Sequence, residues 1–461
     1  MVRRGVLTIL ASVTILSGCV TTRNTPFVEV DRAVQEGNYQ VAADRLSGDN
    51  RDLFYRDRDK VLYYLDAGML NHYAGNFGES AELLSEAERL IEEYFTKSVS
   101  QAAGSLLLND TVQDYAGEDY EDIYLNVFNA LNYLQRGSID GAFVEVRRIN
   151  NKLNLLEDKY RGLASQYNSS DDARLTIRPG ERKFYNSALA RYLSLLMYRS
   201  EGDYDSARID YQEIREAFEQ QPSLYDFPIP ISDDSHQPSR QPRINVLAFA
   251  GQSPVKRANT LYIETDTDVV YVQIERENSA GYLTTEAYDR IDWPGMKAGY
   301  RFKFQLPRMD LRGSDVSEIV VSVDGAQLGR VQLLEDIERI AQATFRIRLP
   351  IVYLKTITRT VAKGVLAQRG KEQMEANLGA AGALLGALAT DLAVDASEQA
   401  DLRLSRYFPA FAYTGEWEVE PGTYDVRVEY RNSQGTMFVD DFRQVEVTVG
   451  GLNLVTSYFL R

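Results

Sequence analysis

The sequence predicts a multidomain α+β protein, in which a helical amino-terminal half is followed by a β-rich carboxy-terminal half. Glycine-ended helical segments repeat within residues 27–221, five prolines fall within residues 222–242, and short alternating apolar segments occupy much of residues 243–461. Because proline ends helices and stiffens loops, the middle stretch is predicted to be a linker. A chain of 461 residues is also too long for one ordinary hydrophobic core.

One local pattern recurs in the amino-terminal half. A glycine is followed by Asn, Ser or Asp, then by a large apolar residue, and three positions later by a small residue. The pattern occurs at Gly37-Asn38-Tyr39 with Ala42, Gly75-Asn76-Phe77 with Ser80, Gly137-Ser138-Ile139 with Ala142, and Gly202-Asp203-Tyr204 with Ala207. Glycine can adopt the left-handed conformation that ends one helix, and the next side chain can cap another. The pattern therefore predicts paired helices.

These pairs resemble tetratricopeptide-type (TPR-like) helical hairpins over roughly residues 27 to 220. The resemblance implies a stacked repeat array with a concave surface for partner proteins. The spacing departs from the family, because the glycines are 38, 62 and 65 residues apart instead of about 34. The third pair also has Ile139 where Tyr or Phe is usual. An ordinary antiparallel helical bundle uses the same caps and small residues, so that alternative stays open.

Strand-length segments follow the prolines. The clearest are residues 243–250, 260–265, 269–275, 318–334, 417–428, 442–449 and 452–460. Asp324-Gly325 and Pro421-Gly422 are turn pairs within them. From about residue 335 to 404 much of the sequence reads as helix, and Pro350 is expected in the first turn of a second helix. The prediction is a small antiparallel β-sandwich or sheet with an inserted helical segment.

A segment of small residues lies inside the predicted insertion. Leu378 to Thr390 contains only Gly, Ala and Leu before its closing Thr, and Gly382 and Gly386 form a G-x-x-x-G arrangement. A helix of this length spans about 20 Å against a hydrocarbon thickness of about 30 Å, so it does not cross a bilayer as a simple helix. We expect a tightly packed core helix; the alternative is an oligomer contact through Gly382 and Gly386, or insertion at a membrane surface.

Residues 1–18 have the three zones of an export signal, namely a charged start, an apolar run and two small residues. Their end, Leu16-Ser17-Gly18-Cys19, resembles a bacterial lipobox. That resemblance implies that Cys19 is lipidated and becomes the first residue of the mature protein, with residues 19–26 as a tether. Two or three acyl chains make membrane attachment effectively permanent. An ordinary export signal followed by an unmodified cysteine is the alternative.

Composition argues against several function classes. The chain has 67 acidic and 51 basic side chains, a net charge of −16, whereas nucleic-acid binding requires a basic surface. Cys19 is the single cysteine, so no disulfide can form within the chain. Zinc sites built from Cys and His have too few ligands here. We therefore expect no nucleic-acid partner, no metal and no cofactor.

No catalytic constellation is recognisable. The two histidines, His72 and His236, are 164 residues apart, and neither belongs to a motif that uses histidine as a general base. Nothing resembles a G-x-S-x-G elbow, and residues 251–256 lack the spacing of a phosphate-binding loop. The acidic pairs at 233–234, 266–268 and 440–441 do not match a calcium loop. We expect a protein without enzymatic activity.

The order of features in the carboxy-terminal half carries a further resemblance. The features are Val331-Gln332-Leu333-Leu334-Glu335-Asp336, Arg348-Leu349-Pro350, Thr358-Arg359-Thr360 with Ala362-Lys363, the Gly/Ala segment, Glu398-Gln399-Ala400-Asp401-Leu402-Arg403, and the Pro-Gly turn. Together they resemble an uncharacterised family of bacterial lipoproteins with a TPR-like first half and a β-rich second half. The family implies location and architecture but no site residues. Val20, and not an aspartate, follows Cys19, which resembles the pattern of lipoproteins that are sorted to the outer membrane. This resemblance implies an anchor in the outer membrane, facing the periplasm.

We therefore expect a membrane-anchored envelope lipoprotein that acts as a scaffold or adaptor, with its helical half binding envelope proteins. One alternative is an accessory subunit of an export or surface-polymer assembly that oligomerises through Gly382 and Gly386. Another is a glycan-binding protein or hydrolase of the cell wall.

Overall fold

The computed structural model describes residues 27–101, 108–169, 175–277, 283–363 and 399–461. Within them the protein is α+β, with helices in the amino-terminal half and sheets in the carboxy-terminal half. The predicted export signal, Cys19 and its tether, and the predicted Gly/Ala helix with Gly382 and Gly386 all lie outside the described residues.

The amino-terminal helices form antiparallel pairs. Their bounds are α1 Val28–Gln35, α2 Tyr39–Leu46, α3 Arg51–Phe54, α4 Lys60–Tyr73, α5 Phe77–Ser100, α6 Asp119–Gln135, α7 Ile139–Asn168, α8 Ala188–Ser200 and α9 Tyr204–Gln220. All four predicted glycine turns connect two helices, and the four glycines have φ between 74° and 81°. None of the helices in this part of the chain is both long and apolar enough to cross a bilayer.

The residues after these glycines cap only half of the helices they precede. The side chains of Ser138 and Asp203 accept hydrogen bonds from the backbone N–H groups of Gly141 and Ser206. Asn38 and Asn76 make no such bond. The Asn76 amide instead donates to the side chains of Gln40 and Asn71. The turn is thus set by glycine, and the polar residue is free to join neighbouring helices.

Three four-stranded sheets form the carboxy-terminal half of the described chain. The strands are β1 Arg243–Ala250, β2 Val255–Asp266, β3 Val269–Glu277, β4 Leu283–Asp292, β5 Arg301–Asp310, β6 Glu318–Val323, β7 Ala326–Arg330, β8 Gln332–Asp336, β9 Phe411–Glu418, β10 Gly422–Asn432, β11 Gly435–Val447 and β12 Leu454–Phe459. The first sheet has the order β12-β1-β9-β8, the second β11-β10-β6-β7 and the third β4-β3-β2-β5.

The prediction that the strands are all antiparallel was wrong for one strand. The last strand, β12, pairs with β1 in parallel, because it arrives from β11 of the other sheet and not through a hairpin. The Pro421-Gly422 turn joins β9 of the first sheet to β10 of the second. The predicted tight turn at Asp324-Gly325 does join β6 to β7, with both residues at positive φ.

The first two sheets pack face to face around an apolar core that includes Val246, Val321 and Val428. The third sheet packs through Ile263 and neighbouring residues against a helix, α10, over residues 337–363. This helix lies within the predicted insertion, about residues 335–404, but residues 335–336 belong to β8 and the described residues 399–404 are not helical, contrary to the prediction.

Helix α10 runs unbroken through Pro350, which is not in a first turn as predicted. A proline inside a helix leaves the carbonyl four residues earlier, here that of Arg346, without its helical partner. The backbone of Gly180 packs against this turn and donates its N–H to the Ile347 carbonyl at 2.8 Å. A Cβ on residue 180 would lie 2.3 Å from the Arg346 oxygen, so glycine permits the contact.

The helical half and the first sheet share one continuous core. The ring of Phe128 in α6 lies 5.5 Å from that of Phe249 in β1 and 6.5 Å from that of Tyr458 in β12. The proline-rich stretch also joins this core, because Leu224 and Tyr225 are buried in it. The inner face of the helices is therefore covered by the chain's own strands.

Phe128→Ala should lower the free energy of unfolding by about 3–5 kcal/mol, because it leaves a cavity where helices meet strands. The control is Ile209→Ala on α9, a side chain that is 51% exposed, for which we expect a change below about 0.5 kcal/mol. Urea unfolding followed by circular dichroism measures both. Equal effects would contradict the shared core.

Candidate functional site

The structure places His72 in α4, buried among aromatic rings where the two halves meet. Its Nδ1 lies 2.7 Å from the Asn132 amide oxygen, and its Nε2 lies 2.6 Å from the Tyr458 hydroxyl. Because an amide oxygen only accepts, Nδ1 donates and Nε2 accepts from the tyrosine. Burial lowers the pKa of His72 to about 4. This imidazole is a neutral part of the packing between helix and strand.

The second histidine lies elsewhere. His236 stacks on Tyr211 of α9 at a ring distance of 4.9 Å. It shares no contact with His72, so the structure does not bring the two histidines into one site.

The acidic pairs named from the sequence have ordinary partners. Asp233 accepts from the Tyr211 hydroxyl, Asp440 accepts from the Ser457 hydroxyl at 2.9 Å, and Asp441 pairs with Arg427 at 2.7 Å. Asp268 lies in the β2–β3 turn at a φ of 59°. No group of three or more His, Cys, Asp or Glu side chains in the described ranges is arranged to hold a metal ion.

A buried ionic cluster joins the two halves, and the sequence analysis missed it. At the start of α6, the Glu118 carboxylate contacts Lys256 at the start of β2 and lies 3.2 Å from Arg348 in α10. Nearby, Lys355 of α10 pairs with Asp110 at 2.6 Å. The two cavities at this cluster have volumes of about 20 and 60 Å³, room for water molecules but not for a larger ligand. The cluster therefore fixes α6 against α10 and the third sheet.

Two other buried carboxylates make similar links. Glu335 of β8 accepts from the hydroxyls of Tyr124 and Tyr225 at 2.5 and 2.7 Å. Glu121 of α6 accepts from the Tyr115 hydroxyl and the Ser405 backbone N–H, and burial raises its pKa to about 7. The sequence did hold a signal for these buried charges, because Arg348 and Glu335 belong to the stretches that carry the lipoprotein resemblance.

A large surface groove of the helical half lies between α5 and α7, with α6 beneath it. Its volume is about 1040 Å³. Its apolar lining includes Ile91, Phe95, Val144 and Leu155, and Leu155 is 62% exposed. An exposed leucine beside other apolar side chains in a concave surface is typical of a binding site.

The floor of the groove is polar and internally paired. Lys152 of α7 lies 2.8 Å from Glu88 of α5 and 2.7 Å from Asp122 of α6. Arg148 also pairs with Glu88 at 2.8 Å. The Asn126 amide donates to Glu145 at 2.6 Å, and burial raises the pKa of that carboxyl. These contacts tie α5, α6 and α7 together at the floor of the groove.

This arrangement suits the binding of an amphipathic protein segment. Apolar side chains of the segment would contact the exposed walls, and its polar groups would reach the ordered charges of the floor. Recognition of a helix in a groove combines the same two kinds of contact. We call this site the α5–α7 groove. The sequence provides little indication of this groove. The apolar and charged residues of α7 have the spacing of any amphipathic helix, so none of them stands out as part of a binding site.

Acidification should weaken the contribution of His72 to stability. Because its folded pKa is lowered, the contribution is fully present above about pH 6.5 and is lost as the pH falls toward 4. We expect the stability advantage of the wild type over His72→Gln to shrink by about 2 kcal/mol from about pH 7 to about pH 5. Urea unfolding at each pH measures this difference. An advantage that stays constant or grows on acidification would contradict the neutral, buried ring.

Comparisons of the chain with protein-family models, curated proteins and solved structures give no match. The resemblance to bacterial lipoproteins therefore stays a prediction from the sequence, and the candidate site rests on the geometry of the α5–α7 groove.

Proposed function

We propose that this protein is a lipid-anchored adaptor of the bacterial envelope, without enzymatic activity, that binds a partner protein in the α5–α7 groove. The observation that carries the proposal is the groove itself, about 1040 Å³ in volume, with Leu155 exposed in its wall. The other charged cluster, around Glu118, is buried and encloses only small cavities. The groove is thus the better candidate for a macromolecular ligand.

We further propose that the helical half is a short TPR-like array. The pairs α4–α5, α6–α7 and α8–α9 follow one another in the chain, and each begins its second helix two residues after a positive-φ glycine. In such an array the inner face commonly binds partners. Here strands β1 and β12 cover that face. The proposed partner therefore binds between the outer helices α5 and α7.

The anchor is the acylated Cys19 expected from the sequence. An adaptor needs a fixed location and a partner surface, and acylation supplies the first. Assembly through Gly382 and Gly386 stays a prediction, because both residues lie outside the described ranges.

Crosslinking tests the groove. A photoreactive amino acid at Leu155 should give a discrete adduct with one envelope protein in cells, because this side chain lies in the wall of the groove. The matched control places the same amino acid at Ile209, an exposed apolar position on α9 outside the groove.

Once the partner is purified, Leu155→Asp should weaken its binding by at least about tenfold, because a carboxylate replaces an apolar contact. Isothermal titration measures the affinity, and Ile209→Asp is the control. Equal adduct formation at the two positions, or an unchanged affinity of Leu155→Asp, would place the partner elsewhere.

Cys19→Ser should abolish acylation, so that no acylated mature protein reaches the membrane fraction. A palmitate analogue followed by gel detection of the membrane fraction measures this effect. Label that persists in the variant would refute the anchor.

A further inference from the structure

Phe27, the first described residue, lies at an edge of the molecule where four stretches of chain meet. Its ring packs 5.0 Å from that of Phe54, and the Arg406 guanidinium lies 4.5 Å from its centroid. Arg403 donates to the backbone carbonyls of Asp110 and Gln113 at 2.8 and 2.9 Å. These contacts bring residues 51–58, 108–113 and 399–406 beside Phe27.

Several apolar side chains at this edge face solvent. Leu53 is 66% exposed and Leu402 is 45% exposed, and Val112 is also exposed. Phe27, Phe54 and Leu402 line an open groove of about 370 Å³. Exposed apolar side chains grouped in this way mark an interaction surface more often than single ones do.

The same edge carries charges of both signs, and most of them are paired with one another. Arg56 and Arg58 line the groove, and neither forms a salt bridge to a carboxylate within the described part of the chain. Asp57 between them pairs with Arg51 and Lys60 at 3.6 and 3.8 Å. The carboxylates that line the groove, Asp59, Asp66 and Asp401, are already bonded to other groups of the protein. Arg56 and Arg58 are therefore the lining cations without a carboxylate partner in the described residues. Guanidinium groups recognise phosphate oxygens well.

We propose that this Phe27 edge, made of Leu53, Phe54, Arg56, Arg58, Val112 and Leu402, rests on the phospholipid bilayer that holds the anchor. The inference depends on the proposed acylation of Cys19. Phe27 follows Cys19 by eight residues, and a chain of that length spans at most about 30 Å when fully extended. The Phe27 edge is therefore the described surface that the anchor holds nearest to the lipid.

The chemistry of the edge matches the bilayer interface. Leucine and phenylalanine side chains would enter the boundary between headgroups and acyl chains, and Arg56 and Arg58 would contact lipid phosphates. The acyl chains already make the attachment to the membrane permanent, so contacts made by the Phe27 edge are not needed to hold the protein there. These contacts would instead fix the orientation of the protein on the membrane.

Depth-dependent quenching tests this orientation. The full acylated chain is reconstituted into vesicles of phosphatidylethanolamine and phosphatidylglycerol that contain a lipid with a nitroxide near the headgroup. Leu53→Cys and Leu402→Cys are labelled with bimane, and the fluorescence lost to the nitroxide is compared with that in vesicles without it. Both side chains are exposed, so substitution leaves the fold intact, which circular dichroism checks.

Val449→Cys is the matched control. Val449 is 56% exposed and lies in the loop before β12, whose Asn453 carbonyl binds the Asn245 N–H near the start of β1. The Phe27 edge lies toward the other end of β1, where Ala250 bonds to Ala410. An eight-residue strand places these ends about 25 Å apart.

We expect strong quenching at positions 53 and 402 and little at position 449. Equal quenching at the three positions would overturn the inference, and so would unquenched fluorescence at 53 and 402. Emission at 53 or 402 that shifts to the blue with rising protein density, without quenching, would assign the edge to a second copy and also overturn it.

The wild-type chain separates failure of this inference from failure of the anchor. Cys19 is its single cysteine, so an acylated chain takes up no bimane, whereas a chain with a free Cys19 does. Uptake of label by the wild type would refute the anchor, and the three positions report on the edge only when that uptake is absent.

Discussion

Burial of almost the whole of helix α6 is the constraint on which the rest of the structure depends. Nearly every residue from Asp119 to Leu134 is buried, so its polar side chains must find partners within the protein. Asn132 does so with His72, Tyr124 with Glu335, and Asn126 with Glu88 and Glu145. Each of these bonds ties α6 to a neighbouring element, and together they fix α4, α5, α7 and β8 around it.

This packing decides which surfaces remain for partners. The strands take the inner face of the helices, and the ionic cluster at Glu118 closes the junction with α10. Breaking one side of such a buried pair is costly, because the other charge is left without a partner. The same helix that closes the inner face supplies Asp122 to the floor of the α5–α7 groove, and its buried Asn126 accepts a hydrogen bond from Lys152 of that floor. Helix α6 therefore contributes both to the closed interface with the strands and to the open groove on the outer side of the helices.

Local signals in the sequence predicted much of the fold and little of the site. Glycine turns such as Gly137, and the hairpin at Asp324-Gly325, were predictable because they depend on backbone conformations that few residues adopt. The parallel pairing of β12 was not, since it depends on which sheet the preceding strand joins. Nor was the Glu118–Lys256 contact, which joins residues 138 positions apart. The groove escaped prediction because its walls come from two helices that are not adjacent in sequence.

The central claim is that the helical half and the first sheet are one cooperative unit built around α6. Native-state hydrogen exchange on the full chain, over a series of low urea concentrations, tests it most directly. We expect the slowest amides of α6, β1 and β12 to share one opening free energy and one urea dependence, because none can open while the shared core is intact. Strands β1 and β12 that open at a lower free energy while α6 stays protected would contradict the claim.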